Sequence, residues 1–309
     1  MTDLHDPLPA TSPPVEPRLP LVGPEPDVAG AAPARRRWRA FRRNKAAIVS
    51  LVFLVLVMVV VPLLAGVIAQ RSPTDTNLLG KFQTPSGAHW LGTDDLGRDM
   101  FSRLMYATRV SMGVSVGSVA IALVIALPIG ALAGYAGRLA DTLVMRAMDV
   151  VLSIPALMLV FAVAGVLGRS LVNTSIALSI IFAPVFIKLV RDEVRTLRRG
   201  QLVEAERAIG ASSRYIFVRH MLPRMASPLI VQTTLSMATA ILAEASLSFL
   251  GLGVQPPSAS WGSMLSNNYT YVFNAAWPVF VPGLAIVFTV LALNVLGDAL
   301  RDVMAKVGP

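Results

Sequence analysis

Residues 202–224 read LVEAERAIGASSRYIFVRHMLPR, a polar and basic stretch inside a chain that is otherwise mostly apolar. Leu202, Ala205, Ala208 and Ile209 recur at helical spacing while Glu204 and Arg207 fall elsewhere on the turn, so the spacing predicts a short amphipathic helix. Gly210 suits the left-handed position that closes a helix, having no Cβ to clash there. Ser212 or Ser213 can cap a second helix running from Arg214 to Met221. Pro223 is expected to end that helix, because proline restricts Leu222 and offers no N–H to the preceding turn. The expected product is an elbow of two short helices at a glycine bend, shaped to seat in a groove of another protein.

The charges around this elbow orient the rest of the chain. Arg191, Arg195, Arg198, Arg199, Arg207, Arg214, Arg219 and Arg224 cluster there, and Arg35, Arg36, Arg37, Arg39, Arg42, Arg43 and Lys45 precede the first long apolar run. Basic residues beside membrane segments stay on the cytoplasmic side, so both clusters are expected inside. The chain has 309 residues, of which 54% are hydrophobic and 15% charged, with a net charge of +9. Its mean hydropathy is +0.64, the composition of an integral membrane protein. The net positive charge follows the apolar runs, which reads as orientation and not as nucleic-acid binding.

Six apolar stretches are expected to cross the bilayer as helices, at about 46–69, 110–133, 150–167, 174–190, 227–250 and 279–295. This makes an all-α membrane fold with both termini cytoplasmic. Pro62 and Pro184 are expected to bend their helices. Gly113, Gly117, Gly130 and Gly134, at four-residue spacing, are expected to let helix backbones approach closely. Asp149 is expected to cap a helix or pair with Arg146, Lys188 to reach the inner edge, and Asp298 to pair with Arg301. Ser227 and Pro228 are expected to open the fifth span. Trp261, Tyr269, Tyr271 and Trp277 read as interfacial anchors. In domain terms, residues 1–34 form a proline-rich disordered cytoplasmic tail, 35–45 a basic juxtamembrane segment and 46–302 the six-span domain, with 303–309 as a short tail. Within the six-span domain, 191–226 is the inner loop and 70–108 and 251–277 are the outer ones.

Chemistry is sparse. There is no G-x-x-x-x-G-K-[ST] phosphate loop, so the chain is not expected to bind nucleotide itself. The absence of cysteine excludes disulfides and thiol catalysis, and His5, His89 and His220 are scattered outside any catalytic set. Asp94, Asp95 and Asp99 lack the spacing of an EF-hand loop, so no metal site and no catalytic residue are expected. Glu244 is the one acidic residue well inside an apolar span, and a carboxylate there needs a partner or a cavity. Two readings stay open: Glu244 bonds hydroxyls of another helix, or it lines a translocation pathway.

The elbow resembles the cytoplasmic EAA loop of bacterial ABC importer permeases, through Glu204, Ala205, Gly210, Leu222 and Pro223. Glu206 stands in place of the motif's second Ala, and His220 in place of its Ile. An Arg-His before the Leu-Pro is usual in the dipeptide, oligopeptide and nickel branch. GTDDLGRD at 92–99, LSFLGLGVQPPSASWGSML at 247–265, and Asn294 with Asp298 match the same branch. The resemblance, to its second permease subunit, runs from about residue 42 to 302. It implies a type I importer in the bacterial inner membrane, with a second permease, two cytoplasmic nucleotide-binding subunits and an extracytoplasmic binding protein as partners. No cofactor is expected on this chain; ATP and magnesium are expected on the ATPase subunits. Glu204, Ala205, Arg207, Gly210, Leu222 and Pro223 would carry the coupling contact. The implied cargo is di- or oligopeptide, with nickel chelate, haem, glutathione or oligosaccharide as alternatives. A proton-coupled carrier would need more intramembrane ionisable residues than Glu244, and a membrane scaffold would not account for the separate signature stretches.

Overall fold

The computed structural model describes residues 41, 42 and 44–306; the proline-rich tail, most of the basic segment before the first span and the last three residues lie outside them. The first crossing is α1 (Lys45–Val55), a π-helical turn (Leu56–Val60) and α2 (Val61–Ile68). The π-turn ends two residues before Pro62, where the missing N–H and the bulk of the ring disturb the regular ladder. Then follow α3 (Met100–Tyr135), α4 (Arg138–Ser153), α5 (Ala156–Leu167) and α6 (Leu171–Arg198). The expected outer loop therefore closes at Asp99 and not at residue 108, because Asp99 caps α3 by accepting the Ser102 N–H at 2.8 Å.

The four glycines of α3 decide the topology. A Cβ on Gly113 would lie 3.5 Å from the Leu171 side chain and one on Gly117 3.2 Å from Ser175 Oγ. Further along, Gly130 meets Val190 at 2.7 Å and Gly134 meets Val194 at 2.6 Å. Both series ascend, so α3 and α6 run parallel and the chain between them must return across the bundle. The expected third span does not do this as one helix. Instead α4 and α5 meet at a 90° bend around Ile154 and Pro155. The 12 residues of α5 reach only about 18 Å at 1.5 Å per residue, too short for a core of roughly 30 Å, so α4 must contribute. Counted this way the described residues supply as many as six crossings.

The other pairings are antiparallel. Tyr106 on α3 faces Gly66 on α2, and Ser115 Oγ donates to the Met237 carbonyl at 3.0 Å. Met237 belongs to α9 (Leu222–Phe249), and α11 (Trp277–Lys306) packs against α9 where Gly297 meets Thr234. The last helix thus continues past residue 302.

Several local expectations are corrected. Ser227 caps nothing, since Pro228 lies inside α9 and the helix arrives unbroken from the elbow. Asp149 on α4 pairs with Lys188 on α6, 2.9 Å away, and not with Arg146. Asp298 and Arg301 form no ion pair with each other among the described residues. Trp261 is fully buried, because the 251–277 segment is not a free loop: it folds back through α10 (Trp261–Tyr269), with Gly262 against Ala245.

The polar 70–99 segment is anchored by its signature run. Asp94, buried, accepts the N–H groups of Leu96 at 3.0 Å and Arg98 at 2.9 Å. Its other oxygen meets Arg98 Nε at 2.7 Å and Arg103 Nε at 3.3 Å. Gly97, at φ 71°, has the Asn77 carbonyl where a Cβ would stand. The aspartate and glycine of this run therefore lock the loop onto the start of α3.

Candidate functional site

Two sites stand out, one at each end of the bundle. At the inner-loop end, α7 (Gln201–Ala208) and α8 (Ser213–Ile216) make the expected elbow. Gly210 takes φ 84°, and a Cβ added there would meet no atom within 4 Å, so backbone conformation alone selects glycine. Ser212 caps α8 by accepting the Tyr215 N–H at 3.3 Å. Pro223 does not end the second helix. A π-turn, Phe217–Met221, precedes it by the same two-residue offset seen at Pro62, and α9 continues through it into the membrane. The elbow is therefore a rigid extension of a spanning helix.

The predicted apolar stripe of α7 faces outward. Leu202, Ala205 and Ala208 are exposed, and Ile209 is 83% exposed, while Val203 is the buried root. Val203, Ile216 and Met221 seat the elbow in the bundle core. Glu204 is exposed. Arg207 holds its guanidinium over the Tyr135 ring, 5.8 Å from the centroid, and Arg198 lies over the same ring at 5.7 Å. The Tyr135 hydroxyl donates to Met221 Sδ at 3.1 Å. Tyr135 thus joins the end of α3 to the end of α6 and to both arms of the elbow; it carries no motif signal, so nothing in the sequence singles it out. Leu222 and Pro223 are set apart from the α7 residues, beside Leu123 and Leu127 of α3. Glu206 and His220, the two departures from the general motif, bond each other across the bend.

At the other end, Glu244 is 1% exposed and ends two hydrogen-bond chains. Ser111 Oγ donates to Oε2 at 3.0 Å and itself accepts the Trp261 N–H at 3.0 Å. Ser248 Oγ donates to Oε1 at 2.6 Å and accepts from Ser260 Oγ at 3.0 Å. Ser260 in turn caps α10 by accepting the Ser263 N–H. The carboxylate joins α3, α9 and α10, which offsets the cost of burying it. Ser248 lies one turn from Glu244 and was legible as a partner; Ser111 and Ser260 were not. Among the described residues no cluster of His, Asp and Glu has the makings of a metal site.

Residues 126–306 match the family model described as binding-protein-dependent transport system inner membrane component. Residues 32–85 match the N-terminal TM domain of oligopeptide transport permease C. The chain is 39% identical over 292 residues to the dipeptide transport system permease protein DppC of Alkalihalophilus pseudofirmus, covering 92% of this chain and 96% of that protein. It is also 39% identical to the di/tripeptide transport system permease protein DppC of Pseudomonas aeruginosa, over 91% and 94% of the two chains. With the probable D,D-dipeptide transport system permease protein DdpC of Escherichia coli it shares 40% identity, over 83% and 85%. Among solved structures, the inward-facing MetNI methionine ABC transporter has a chain that superposes with a TM-score of 0.53 at 22% identity. That superposition covers 68% of this chain and 98% of the other, and it shows the shared type I importer permease fold.

Proposed function

The chain belongs to the family of binding-protein-dependent transport system inner membrane components, the multi-pass permease subunits of ABC importers, and on that premise we propose that it forms half of a translocation pathway for di- or oligopeptides. The peptide cargo rests on what the named relatives carry. A second permease completes the tunnel, an extracytoplasmic binding protein delivers the cargo at the Glu244 end, and two cytoplasmic ATPase subunits bind ATP and magnesium. The basic residues around the elbow support a cytoplasmic location for that end.

The elbow is the ATPase contact. The observation that carries this is the outward apolar stripe of α7, exposed through Ile209 although the same helix is rooted in the core by Val203. An exposed stripe on a rigid helix is the shape that fills a hydrophobic groove. Glu204 is exposed beside it for a polar contact, and Gly210 sets the angle between the arms. Arg207 acts from behind, holding the elbow to Tyr135. Because α8, the π-turn and α9 are continuous, a shift of the elbow moves a membrane helix with it.

The absence of cysteine makes the test clean. Ile209→Cys, labelled with benzophenone-maleimide in the co-expressed transporter, is expected to photo-cross-link to the ATPase, with the yield changing between nucleotide-free and ATP-bound states. Phe273→Cys, at the opposite end, is expected to give no such product. Equal labelling from both positions, or none from Ile209→Cys, would remove the coupling role.

A further inference from the structure

At the elbow end, the ends of α3 and α6 and the start of α4 enclose an open cavity of about 630 Å³. This lies within the roughly 300–1,000 Å³ range of small-ligand sites. Arg138, Arg195, Arg198 and Arg199 line it, opposed by Asp141 and Glu204. Asp141 is already engaged: Arg191 holds both its oxygens at 2.6 Å, and Arg195 adds a contact at 3.1 Å. Arg198 donates to the Tyr135 carbonyl at 2.9 Å. The guanidinium groups of Arg138 and Arg199 have no hydrogen bond or ion pair with another described residue. Two unpaired planar cations therefore face the cavity: Asp141 is taken up by Arg191 and Arg195, and Glu204 is bonded to neither Arg138 nor Arg199.

The wall is made by Ala133 and Gly134, at the inner end of a spanning helix. On the flank of α4 next to Arg138, Leu139 and Leu143 follow each other by one turn and are 88% and 74% exposed. Guanidinium forks match phosphate oxygens in pairs, and a basic pocket between helix ends at the inner bilayer surface is suited to an anionic headgroup. We propose that this cavity binds the phosphate headgroup of an anionic phospholipid such as phosphatidylglycerol, with Arg138 and Arg199 on the phosphate and Leu139 and Leu143 along an acyl chain. The cavity shares Glu204 with the elbow, but the proposed lipid contacts rest on Arg138 and Arg199, which the coupling role does not use, so the two can fail separately.

The test is native mass spectrometry of the full chain released from nanodiscs of phosphatidylcholine mixed with phosphatidylglycerol. The wild type is expected to retain phosphatidylglycerol preferentially. Arg138→Gln/Arg199→Gln is expected to lower that preference about fivefold for each arginine removed. Arg138→Lys/Arg199→Lys, which keeps the charge, should hold most of it and guards against a folding defect. Arg224→Gln/Arg301→Gln, exposed positions near the same end, should leave it unchanged. Equal preference in the wild type and the Gln variant overturns the proposal, as does an equal loss in the control, which would mean diffuse surface attraction. Complete displacement by millimolar inorganic phosphate would assign the cavity to a soluble anion, and release of the lipid on ATPase binding would assign it to a protein interface; either result also overturns the proposal.

Discussion

Glu206 Oε1 lies 2.7 Å from His220 Nε2, so the two positions at which the elbow departs from the general EAA motif are joined to each other across the bend. Their side chains are 14% and 27% exposed, enough burial for the contact to stiffen the angle between α7 and the helix that continues into the membrane. Glu206 is turned away from the outward stripe and leaves it uninterrupted.

Glu206→Ala and His220→Ala are each expected to speed amide exchange across residues 201–221, and the double variant should be no worse than either. The coupling energy from the cycle is expected near ~0.5–2 kcal/mol, as for two side chains in direct polar contact. Strictly additive effects would mean that the two residues act independently.

Gly210→Ala is expected to cost about 1–2 kcal/mol through backbone conformation alone, because the space around Gly210 is open while φ is positive. Gly210→Asn should cost less, since Asn tolerates the left-handed region. Gly210→Pro cannot adopt this φ at all. It is expected to leave membrane insertion intact and to uncouple ATP hydrolysis from uptake; normal transport by it in proteoliposomes would rule out the bend as a coupling element.

The α3–α6 seam should respond in a graded way to added methyl groups. Gly130→Ala and Gly134→Ala put a Cβ within 2.8 Å of Val190 and Val194 side-chain atoms, and each is expected to destabilise by about 1–3 kcal/mol. Gly113→Ala, with its nearest neighbour at 3.5 Å, is expected to be nearly neutral. Thermal melting in detergent reads the difference, and an equal effect at all three positions would contradict the parallel close approach.

Asp94→Ala leaves Arg98 and Arg103 without their shared carboxylate and is expected to destabilise by about 3–5 kcal/mol. Its neighbour behaves oppositely. Burial first, and the Asp94 charge second, push the Asp95 carboxyl upward. A raised carboxyl contributes stability at low pH that is lost as pH climbs through the raised value, so ionised Asp95 is a mild burden at neutral pH. Asp95→Asn is expected to leave melting at neutral pH unchanged or slightly higher, and a drop comparable to that of Asp94→Ala would show that its contact with Arg98 dominates.

Glu244→Ala strands the hydroxyl donors Ser111 and Ser248 and opens a void, so a loss of about 2–4 kcal/mol is expected. Glu244→Gln keeps one acceptor oxygen and should lose less. If the carboxylate serves the pathway as well, Glu244→Gln will slow uptake of cationic peptides more than neutral ones at unchanged melting temperature. A parallel loss of stability and of all uptake would leave only the joining role.

Much of the architecture was legible because its signals are local. Apolar runs, the glycine at the bend, the serine cap and the four-residue glycine spacing each rest on neighbours within one or two turns. The third crossing was less so, since a 12-residue apolar helix and an amphipathic one read separately until α3 and α6 are known to run parallel. Trp261 misled because an aromatic in a charge-poor outer segment looks the same whether it faces a headgroup or a fold-back. At the elbow the spacing picked out the stripe, but hydropathy alone does not say which way a stripe faces, and the structure turns it outward.

The sequence by itself determined that this chain crosses a bilayer repeatedly, where the five single-helix spans lie, and that a bent basic elbow interrupts them, because hydropathy, propensity and charge act over a few residues. Only the tertiary structure decided which way the elbow's stripe faces, that Glu206 finds His220, that Tyr135 sits under two arginines and that Glu244 gathers serines from three helices. Those pairings depend on the rotation of each helix about its own axis, and that rotation is set by distant packing, Val203 and Ile216 in the core at one end and Gly262 against Ala245 at the other.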